Sequence, residues 1–279
     1  MQKRLFAVAL ASACLGLSAP GQASESHWSY HGETGPEHWG KLAGEFASCA
    51  AGKNQSPVDL RESQAIRAEL PAIELDYRPG GHEVVNNGHT IQVNYQPGSS
   101  MTVGGHRYEL RQFHFHAPSE NARDGKPFPM EVHFVHADAE GNLAVLGVMY
   151  ELGGHNDALA PAWAVMPAQA GGTAAPAQLL DAAALVPADR AHFRFTGSLT
   201  TPPCSEGVSW FVLKATDQAA PEQVERFAAT IRHDNNRPLQ PLNARLVLHR
   251  GRRPPALCTT SRCARCCRPA MRWSALADG

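Results

Sequence analysis

The 279-residue sequence lacks three features that would each assign it to a large class of proteins. It has no apolar run as long as the 18 residues or so that a membrane-spanning helix needs. It has no stripe of lysine and arginine, and residues 24–249 hold 25 acidic against 16 basic side chains, which argues against nucleic acid as a partner. It also has no internal repeat, which argues against a solenoid. The length favours one large domain.

The N-terminal segment has the pattern of a secretion signal. Lys3-Arg4 precede an apolar stretch, Leu5–Leu17, that is too short to cross a bilayer as a helix, and small residues lead up to Ala23. We therefore expect residues 1–23 to be a signal peptide that is cleaved after Ala23. The mature protein is then periplasmic or otherwise secreted, with no membrane span.

The seven cysteines fall into three groups. Cys14 lies in the signal and weakly resembles a lipid-attachment site, so a retained membrane anchor is the alternative there. Cys49 and Cys204 are the cysteines of the main body, and an oxidising compartment favours a disulfide between them over two unpaired thiols. Four more cysteines lie beyond residue 249.

Residues 250–279 differ in composition from residues 24–249, which we predict to form the domain. This tail is rich in arginine and cysteine, contains Pro254-Pro255 and shows almost no hydrophobic periodicity. We expect it to be disordered, without a core of its own. A shifted reading frame and an unusual extension would each explain it. Metal binding by Cys263, Cys266 and Cys267 is the alternative, although no second pair of ligands lies at a suitable spacing.

Alternation of polar and apolar residues predicts a mainly β fold. Short alternating segments from Ile73 to Leu152 are separated by turn formers such as Asn86-Asn87-Gly88, which is typical of consecutive antiparallel strands. The Ala- and Pro-rich segment 157–187 has room for one or two short helices. Further elements are predicted as follows: an amphipathic helix around Glu222–Ile231, and strands at Val208–Lys214 and Ala244–His249.

Three histidines on two predicted strands form a candidate metal site. Alternation places Gln112, His114 and His116 on one face of a strand, and His133 shares a face with Glu131 on the next. If the chain between these strands returns antiparallel, the three imidazoles can meet. A surface pair of histidines is the alternative. Zinc is favoured because Gln112 and Glu131, each two residues before a histidine, could accept the remaining ring N–H groups.

Three neutral histidines leave the fourth position of a tetrahedral zinc ion open, which suits catalytic zinc rather than a structural site. The open position would hold water. Zinc lowers the pKa of bound water from about 15.7 to about 7, so a hydroxide nucleophile would be available at neutral pH.

Several ordered segments, together with those histidines, resemble the α-class carbonic anhydrases, especially the secreted bacterial members. The likeness runs from Trp28 to about His249. The segments that carry it are Gly35-Pro36-Glu37-His38-Trp39, Asn54-Gln55-Ser56-Pro57-Val58, Gln112-Phe113-His114-Phe115-His116, Ser119-Glu120, Glu131-Val132-His133-Phe134-Val135-His136, Gly197-Ser198-Leu199-Thr200-Thr201-Pro202-Pro203 and Asn235-Asn236-Arg237-Pro238-Leu239-Gln240-Pro241-Leu242-Asn243.

The resemblance implies roles for particular positions. It makes the three histidines the zinc ligands, with Gln112 and Glu131 as their outer partners. Thr200 would accept a hydrogen bond from the zinc-bound hydroxide and donate its own to Glu120. The substrate pocket for carbon dioxide would be formed by Val135, Val145, Leu199, Thr201 and Trp210. Such a pocket is mostly apolar, as a nonpolar substrate requires.

The resemblance also implies a route for the proton that each turnover releases. His89 matches the family's proton shuttle, and Tyr30 and Asn87 match residues along its water chain. A loop histidine without a task is the alternative. Two departures stand out, since Asn121 replaces a histidine common in animal members and Phe195 replaces a tyrosine. Both lie in the polar network beneath the metal, so we expect that network to be rearranged.

The implied protein is a zinc enzyme that reversibly hydrates carbon dioxide to bicarbonate, as a monomer or homodimer. Its implied fold is a twisted, mostly antiparallel sheet of about ten strands with short peripheral helices, a cone-shaped cleft holding the zinc, and cis peptide bonds at Pro57 and Pro203. One alternative is a non-catalytic periplasmic protein that binds or buffers zinc on the same scaffold. Another is an enzyme whose main substrate is an ester.

Overall fold

The computed structural model describes residues 27–250, which are organised around one large sheet. The strands of this part of the chain are β1 (Asp59–Leu60), β2 (Ile66–Arg67), β3 (Ile73–Asp76), β4 (Gly81–Asn86), β5 (Ile91–Tyr95), β6 (Ser100–Val103), β7 (His106–His116), β8 (Ala122–Arg123), β9 (Met130–Ala137), β10 (Leu143–Leu152), β11 (Thr173–Ala174), β12 (His192–Ser198), β13 (Glu206–Leu213), β14 (Asp217–Ala219) and β15 (Leu248–His249).

Thirteen of these strands form the main sheet, in the order β11-β4-β5-β7-β9-β10-β13-β12-β15-β2, with β3, β6 and β14 paired beside this path. Most neighbours are antiparallel, but β10–β13, β10–β14 and β15–β2 are parallel. The fold class is as predicted, and the sheet is mixed rather than purely antiparallel. The small strands β1 and β8 form a separate parallel pair.

The helices are short and peripheral. They are α1 (Trp39–Leu42), α2 (Ser48–Ala51), α3 (Ala160–Val165) and α4 (Pro221–Ile231), with 3-10 turns at Gly32–Thr34, Gly44–Phe46 and Ala182–Leu185. The predicted amphipathic helix is α4. It begins with a proline, whose fixed φ suits the first helical position, and it is followed by Arg232, whose left-handed φ of 69° ends the helix.

One predicted strand is largely wrong. Of the segment Ala244–His249, only Leu248–His249 pairs with the sheet. The chain turns at Asn243, whose φ is 52°, and the Arg245 N–H donates to the Leu242 carbonyl at 3.0 Å. This local turn takes up the Arg245 N–H, which a longer strand would have paired.

The two faces of the sheet bury separate apolar clusters. On one face Phe113, Phe115 and Phe134 belong to a large core that includes Trp163 of α3 and Phe227 of α4. Burying each such side chain stabilises the fold by roughly 1.5–3 kcal/mol. The opposite face carries a smaller cluster around Val145, Phe193, Phe195 and Trp210. The candidate site lies beside this second cluster.

The N-terminal segment is tied to the rest of the domain by the predicted disulfide. Cys49 and Cys204 are bonded across 155 residues of sequence, and Trp39 packs beside them fully buried. The predicted cis bonds at Pro57 and Pro203 are present, and Ala117-Pro118 is cis as well. Within residues 27–250, no helix is long and apolar enough to cross a membrane.

Candidate metal centre

The register of the sheet places the candidate residues in adjacent rows. His114 on β7 pairs with His133 on β9, which pairs with Gly147 on β10, while the next row contains His116 opposite Glu131. The row on the other side runs Gln112, Val135, Val145 and Trp210 across four strands. Because alternate residues of a strand share a face, the three histidines face the same cleft as Gln112 and the apolar residues Val135, Val145 and Trp210.

The three imidazoles converge as the alternation predicts. His114, His116 and His133 each offer one nitrogen, and these nitrogens lie within 4.8 Å of one another. They are the one group of three or more histidine, cysteine or carboxylate side chains in residues 27–250 that is arranged to hold a metal ion. His116 and His133 are buried and His114 is partly buried.

The other nitrogen of each ring has an oxygen partner, which sets the tautomer. His114 Nδ1 lies 2.8 Å from Gln112 Oε1, and His133 Nε2 lies 3.0 Å from Glu131 Oε1. His114 Nδ1 donates its hydrogen to Gln112, and the nearby carboxylate of Glu131 favours the proton of His133 on Nε2, so His114 Nε2 and His133 Nδ1 keep free lone pairs. The predicted partners Gln112 and Glu131 therefore do stand beside the rings that were assigned to them.

The partner of His116 was missed by the sequence reasoning. His116 Nδ1 donates to the main-chain carbonyl of Asn235 at 2.6 Å. The Asn235 side chain is also bonded to the residues on either side of His116, accepting from Ala117 N at 2.9 Å and donating to Phe115 O at 2.9 Å. Asn235 belongs to one of the segments that carried the family resemblance, but a carbonyl partner has no side-chain signature in a sequence.

Glu131 is held by a polar network that includes Asn121, one of the two residues that depart from the pattern of the family. Its carboxylate accepts from the main-chain N–H groups of Glu120 and Asn121 and from Asn121 Nδ2, each at 2.9 Å. Burial disfavours the charge on Glu131, but His133 and Asn121 outweigh it and lower the pKa of this carboxyl. Phe195, the second departure, stacks against Trp210 instead of joining this network.

Burial also changes the pKa values of two of the three histidines. It lowers the pKa of His114 well below 6.5, assisted by the neighbouring His116 and His133, and it lowers the pKa of His116. Both rings are thus held in the neutral form, which is the form that binds a metal.

Glu120 lies directly behind the histidines. Its Oε1 accepts from Arg237 N at 3.0 Å, while its Oε2 lies 3.5 Å from His116 Nε2 and 3.8 Å from His133 Nδ1. Oε2 is buried and has no hydrogen-bond partner in the described part of the chain, and no bond joins it to the Thr200 hydroxyl. The pairing of Thr200 with Glu120 therefore stays a prediction, with the acceptor atom available.

The cleft above the histidines is a cavity of about 160 Å³. It is lined by every residue predicted for the pocket and for the proton route, together with Trp28, Thr90 and Gln92, which were not predicted. The predicted lining residues are Tyr30, Asn87, His89, Val135, Val145, Leu199, Thr200, Thr201 and Trp210. The wall toward Val145 and Trp210 is apolar, so the cavity offers a small nonpolar molecule a place beside the three nitrogens.

His89 lies at the mouth of this cavity with its ring stacked on Trp28. The ring centroids are 3.7 Å apart and the planes differ by 9°. This burial, with smaller contributions from His233 and His27, lowers the pKa of His89 to about 4. In the stacked position His89 is thus a weak proton acceptor.

These residues fit a tetrahedral metal ion. The three nitrogens converge, burial holds His114 and His116 neutral, and the other nitrogen of each ring lies beside an oxygen atom. His116 Nε2 supplies an independent sign, because it is buried without a hydrogen-bond partner among the described residues. A buried nitrogen with a free lone pair is costly unless something binds it.

Comparison with known proteins gives concordant results. A family model described as eukaryotic-type carbonic anhydrase matches residues 34–251. A carbonic anhydrase of Neisseria gonorrhoeae is 50% identical over 88% of this chain and 96% of that protein, and one of Pectobacterium carotovorum is 44% identical over 89% and 100%. A solved α-carbonic anhydrase of Thermovibrio ammonificans, in complex with the inhibitor sulfanilamide, is 47% identical with a TM-score of 0.80, covering 81% of this chain and 100% of that one.

Proposed function

The chain belongs to the eukaryotic-type carbonic anhydrase family and is an enzyme of that type, and we propose that it reversibly hydrates carbon dioxide at a zinc ion held by His114, His116 and His133. The observation that carries the proposal is the convergence of three imidazole nitrogens within 4.8 Å, with an oxygen atom beside the other nitrogen of each ring. Zinc bound there would lower the pKa of a water molecule to about 7 and so supply a hydroxide nucleophile.

The chain's own residues would orient the reactants. Val135, Val145 and Trp210 offer carbon dioxide an apolar wall in the row next to the ligands, and Leu199 closes it. Thr200 would orient the nucleophile toward the carbon by accepting a hydrogen bond from it and donating a hydrogen bond from its own hydroxyl to Glu120 Oε2. Support for this role comes from that oxygen, which is buried without another partner in the described residues.

The proton released in each turnover would leave along the polar side of the cavity. Tyr30 and Asn87 line that side, and His89 stands at its mouth. Burial and the nearby Glu120 raise the pKa of Tyr30 well above 10, so its hydroxyl stays protonated and orders water rather than titrating. His89 would take up the proton and release it to buffer.

Stopped-flow measurement of carbon dioxide hydration, with zinc measured on the same sample, tests the proposal. We expect one zinc per chain, rapid hydration, loss of both on chelation, and recovery of both when zinc is returned. The matched comparison is His116→Ala against His155→Gln, which alters an exposed histidine that does not line the cleft. One zinc per chain with neither hydration nor ester hydrolysis would instead favour the zinc-buffering alternative, and ester hydrolysis alone would favour the esterase.

Sulfanilamide provides a readout that does not depend on turnover. It occupies the related enzyme of Thermovibrio ammonificans, and we expect it to raise the unfolding temperature of the zinc-loaded protein. A ligand that binds only the folded state stabilises it by about 2.7 kcal/mol at a hundred times its Kd. The zinc-free protein should show no such shift.

The proposal also includes the two ends of the chain, a cleaved signal peptide and a C-terminal tail that is not needed for activity. Residues 1–23, which would be the signal peptide, and residues 251–279 lie outside the described part of the structure, and so do Cys14 and the tail cysteines. The disulfide is compatible with an oxidising compartment. We expect N-terminal sequencing of periplasmic material to begin after Ala23, and a chain that ends at His249 to be as active as the full chain.

A further inference from the structure

Asn87 and Gly88 form the one asparagine–glycine pair in the sequence. They lie between β4 and β5 in the turn 87–90, the His89 turn, where Asn87 is exposed and lines the cavity. Glycine has no Cβ to shield its main-chain nitrogen, so this nitrogen can attack the preceding side-chain amide. Gly88 has a φ of 84°, at which any other residue would be strained, so the turn itself requires this chemically labile pair.

The reaction open to such a pair is intramolecular deamidation. The Gly88 nitrogen forms a bond to Cγ of Asn87, the Cγ–Nδ2 bond breaks, and the hydrogen of the Gly88 nitrogen leaves with Nδ2 as ammonia. Water then opens the resulting succinimide ring. Opening at the side-chain carbonyl gives aspartate, whereas opening at the main-chain carbonyl gives isoaspartate, whose main chain runs through Cβ and Cγ. Water is the only other reactant.

The folded turn restrains the attacking nitrogen. Gly88 N donates to Asn86 Oδ1 at 3.0 Å, and Asn86 is buried, with its own Nδ2 donating to the Pro167 carbonyl at 2.9 Å. The main chain of Asn86 is held as well, since its carbonyl accepts from Gly171 N at 2.7 Å and its N–H donates to Gly172 O at 2.9 Å. The hydrogen that must leave Gly88 is therefore bonded to a fixed acceptor.

The amide under attack is restrained too. Asn87 Oδ1 accepts from His89 N at 2.9 Å and from Thr90 N at 2.8 Å, and Asn87 N donates to Thr90 O at 3.2 Å. Asparagine commonly stabilises turns in this way. A bond between Cγ and the Gly88 nitrogen would pull the amide out of this position, so these contacts oppose ring closure. The reaction then depends on local opening of the turn.

We propose that Asn87 is a site of spontaneous deamidation and that Asn86 limits the reaction by holding the Gly88 N–H. This inference goes beyond the proposed function, and the chemistry does not depend on it. What does depend on it is the effect on turnover, because Asn87 and His89 belong to the proposed proton route.

The two products should affect the His89 turn differently. Aspartate at position 87 keeps an oxygen acceptor for the N–H groups of His89 and Thr90. Isoaspartate lengthens the main chain and moves that acceptor, so the turn cannot keep its shape. His89 would then leave its stacked position on Trp28, where the ring centroids are 3.7 Å apart.

The test is a time course of the zinc-loaded full chain at mildly alkaline pH, with peptide mass spectrometry that separates aspartate from isoaspartate. Exposed Asn142, which is followed by the bulky Leu143, gives the background rate in the same digest. Asn86→Ala removes the acceptor for Gly88, whereas Asn86→Asp keeps one, and both variants lose the bond to Pro167. We expect deamidation of Asn87 to be about two- to tenfold faster in Asn86→Ala than in the wild type, as the loss of one hydrogen bond implies, and slower in Asn86→Asp than in Asn86→Ala.

The protein unfolded in urea provides the unrestrained rate, which should be the same for Asn87 in the wild type and in Asn86→Ala. Unfolding midpoints show whether each variant is folded during the time course. Equal rates in the folded wild type and Asn86→Ala, or in Asn86→Ala and Asn86→Asp, would remove the role of Asn86. A rate at Asn87 no faster than that at Asn142 in Asn86→Ala would overturn the site itself.

The effect on turnover is measured on the aged samples. In weak buffer, kcat should fall in proportion to the isoaspartate fraction while kcat/KM stays the same, because proton export and not the interconversion of carbon dioxide and bicarbonate is affected. The failure of the proposed function looks different: fresh zinc-loaded wild-type protein would then hydrate no carbon dioxide, while deamidation of Asn87 would still be measurable.

Discussion

Asn235 illustrates how much of the site depends on a single buried residue. Its carbonyl holds His116, its side-chain oxygen holds Ala117, and its amide group donates to Phe115 and His89. It is fully buried, so no water can substitute for a lost partner. The metal site and the proton route are thereby connected through one side chain.

Replacing Asn235 with aspartate should weaken zinc binding. The change keeps the acceptor for Ala117 but removes both donors and places a charged oxygen against the carbonyls of Phe115 and His89. Because outer partners of metal ligands contribute about 10- to 100-fold in affinity, we expect the Kd for zinc to rise by about tenfold or more. Competition with a chromophoric chelator measures it. Asn236→Asp, at the half-buried neighbouring position, is the control and should bind zinc as the wild type does.

Replacing His89 with alanine should slow turnover where buffer is scarce. We expect kcat to fall by about tenfold, which is below the usual range for a proton-transfer group, because the stacked ring is a weak acceptor. Added imidazole should restore part of the rate, and kcat/KM should be unaffected. Equal kcat values for variant and wild type at low buffer would remove His89 from the route.

His136 should make the domain sensitive to mild acid. It is fully buried and neutral, with its Nδ1 donating to Ala144 O at 3.2 Å and its Nε2 accepting from the Tyr77 hydroxyl at 2.6 Å. Burial lowers its pKa from 6.5 to about 4. Because the unfolded chain binds this proton more tightly, the stability that the neutral ring contributes is complete above pH 6.5 and is lost as the pH falls toward 4.

The expected loss from this one residue is about 3 kcal/mol across that interval. Urea unfolding at a series of pH values measures it. A His136→Gln variant should lose less stability between pH 6.5 and 4 than the wild type, whereas His155→Gln should follow the wild type. Parallel curves for His136→Gln and the wild type would show that another group carries the acid sensitivity.

Among the elements, β12 positions Leu199 and Thr200, which directly follow it, in the lining of the cavity. The end of β12 is fixed by a close contact between Ser198 and Ser56. Ser56 and Ser198 exchange hydrogen bonds, Ser56 N to Ser198 Oγ at 2.9 Å and Ser198 N to Ser56 Oγ at 3.2 Å. The neighbouring Gly197 has no room for a side chain, since a Cβ there would overlap Ser56 Oγ and lie 2.9 Å from Trp210 Cδ1.

Gly197→Ala should therefore disturb both stability and catalysis. Forcing a methyl group into a packed region costs about 1–3 kcal/mol, and relief by moving β12 would displace Leu199 and Thr200. We expect a lower unfolding free energy together with a lower kcat/KM. Gly44→Ala is a suitable control, because a Cβ at Gly44 meets nothing within 4 Å. A Gly197→Ala protein with wild-type stability and kcat/KM would contradict this packing.

The strands between Ile73 and Leu152 show which elements a sequence can predict. Their alternation and their turn residues are local signals, and β3 to β10 all fall within this segment. The pairing of β10 with β13 is parallel and joins segments that are distant in sequence. No tight turn connects such strands, so the sequence contains no local signal for this pairing. That pairing nevertheless sets Val145 beside Trp210 and so builds the apolar wall of the cavity.

At the scale of the whole molecule, the disulfide connects the N-terminal segment to the loop beyond β12. Replacing both Cys49 and Cys204 with alanine should lower the free energy of unfolding by about 2–5 kcal/mol, because the unfolded chain is no longer constrained across 155 residues. Denaturant unfolding of the double variant measures this loss. Treating the double variant with a reducing agent should have no further effect, whereas the wild type should lose stability. Equal unfolding free energies for both proteins would contradict the prediction.

The sequence by itself determined which side chains share a strand face, because side-chain direction in a strand depends only on local backbone geometry. It therefore predicted His114, His116 and His133 together, along with Gln112 and Glu131. The tertiary structure decided the rest of the site. Asn235 reaches His116 across 119 residues, and His233 reaches Gly88 across 145. Such contacts involve backbone carbonyls, which every residue possesses, and only the folding of the chain determines which of them lie beside an imidazole.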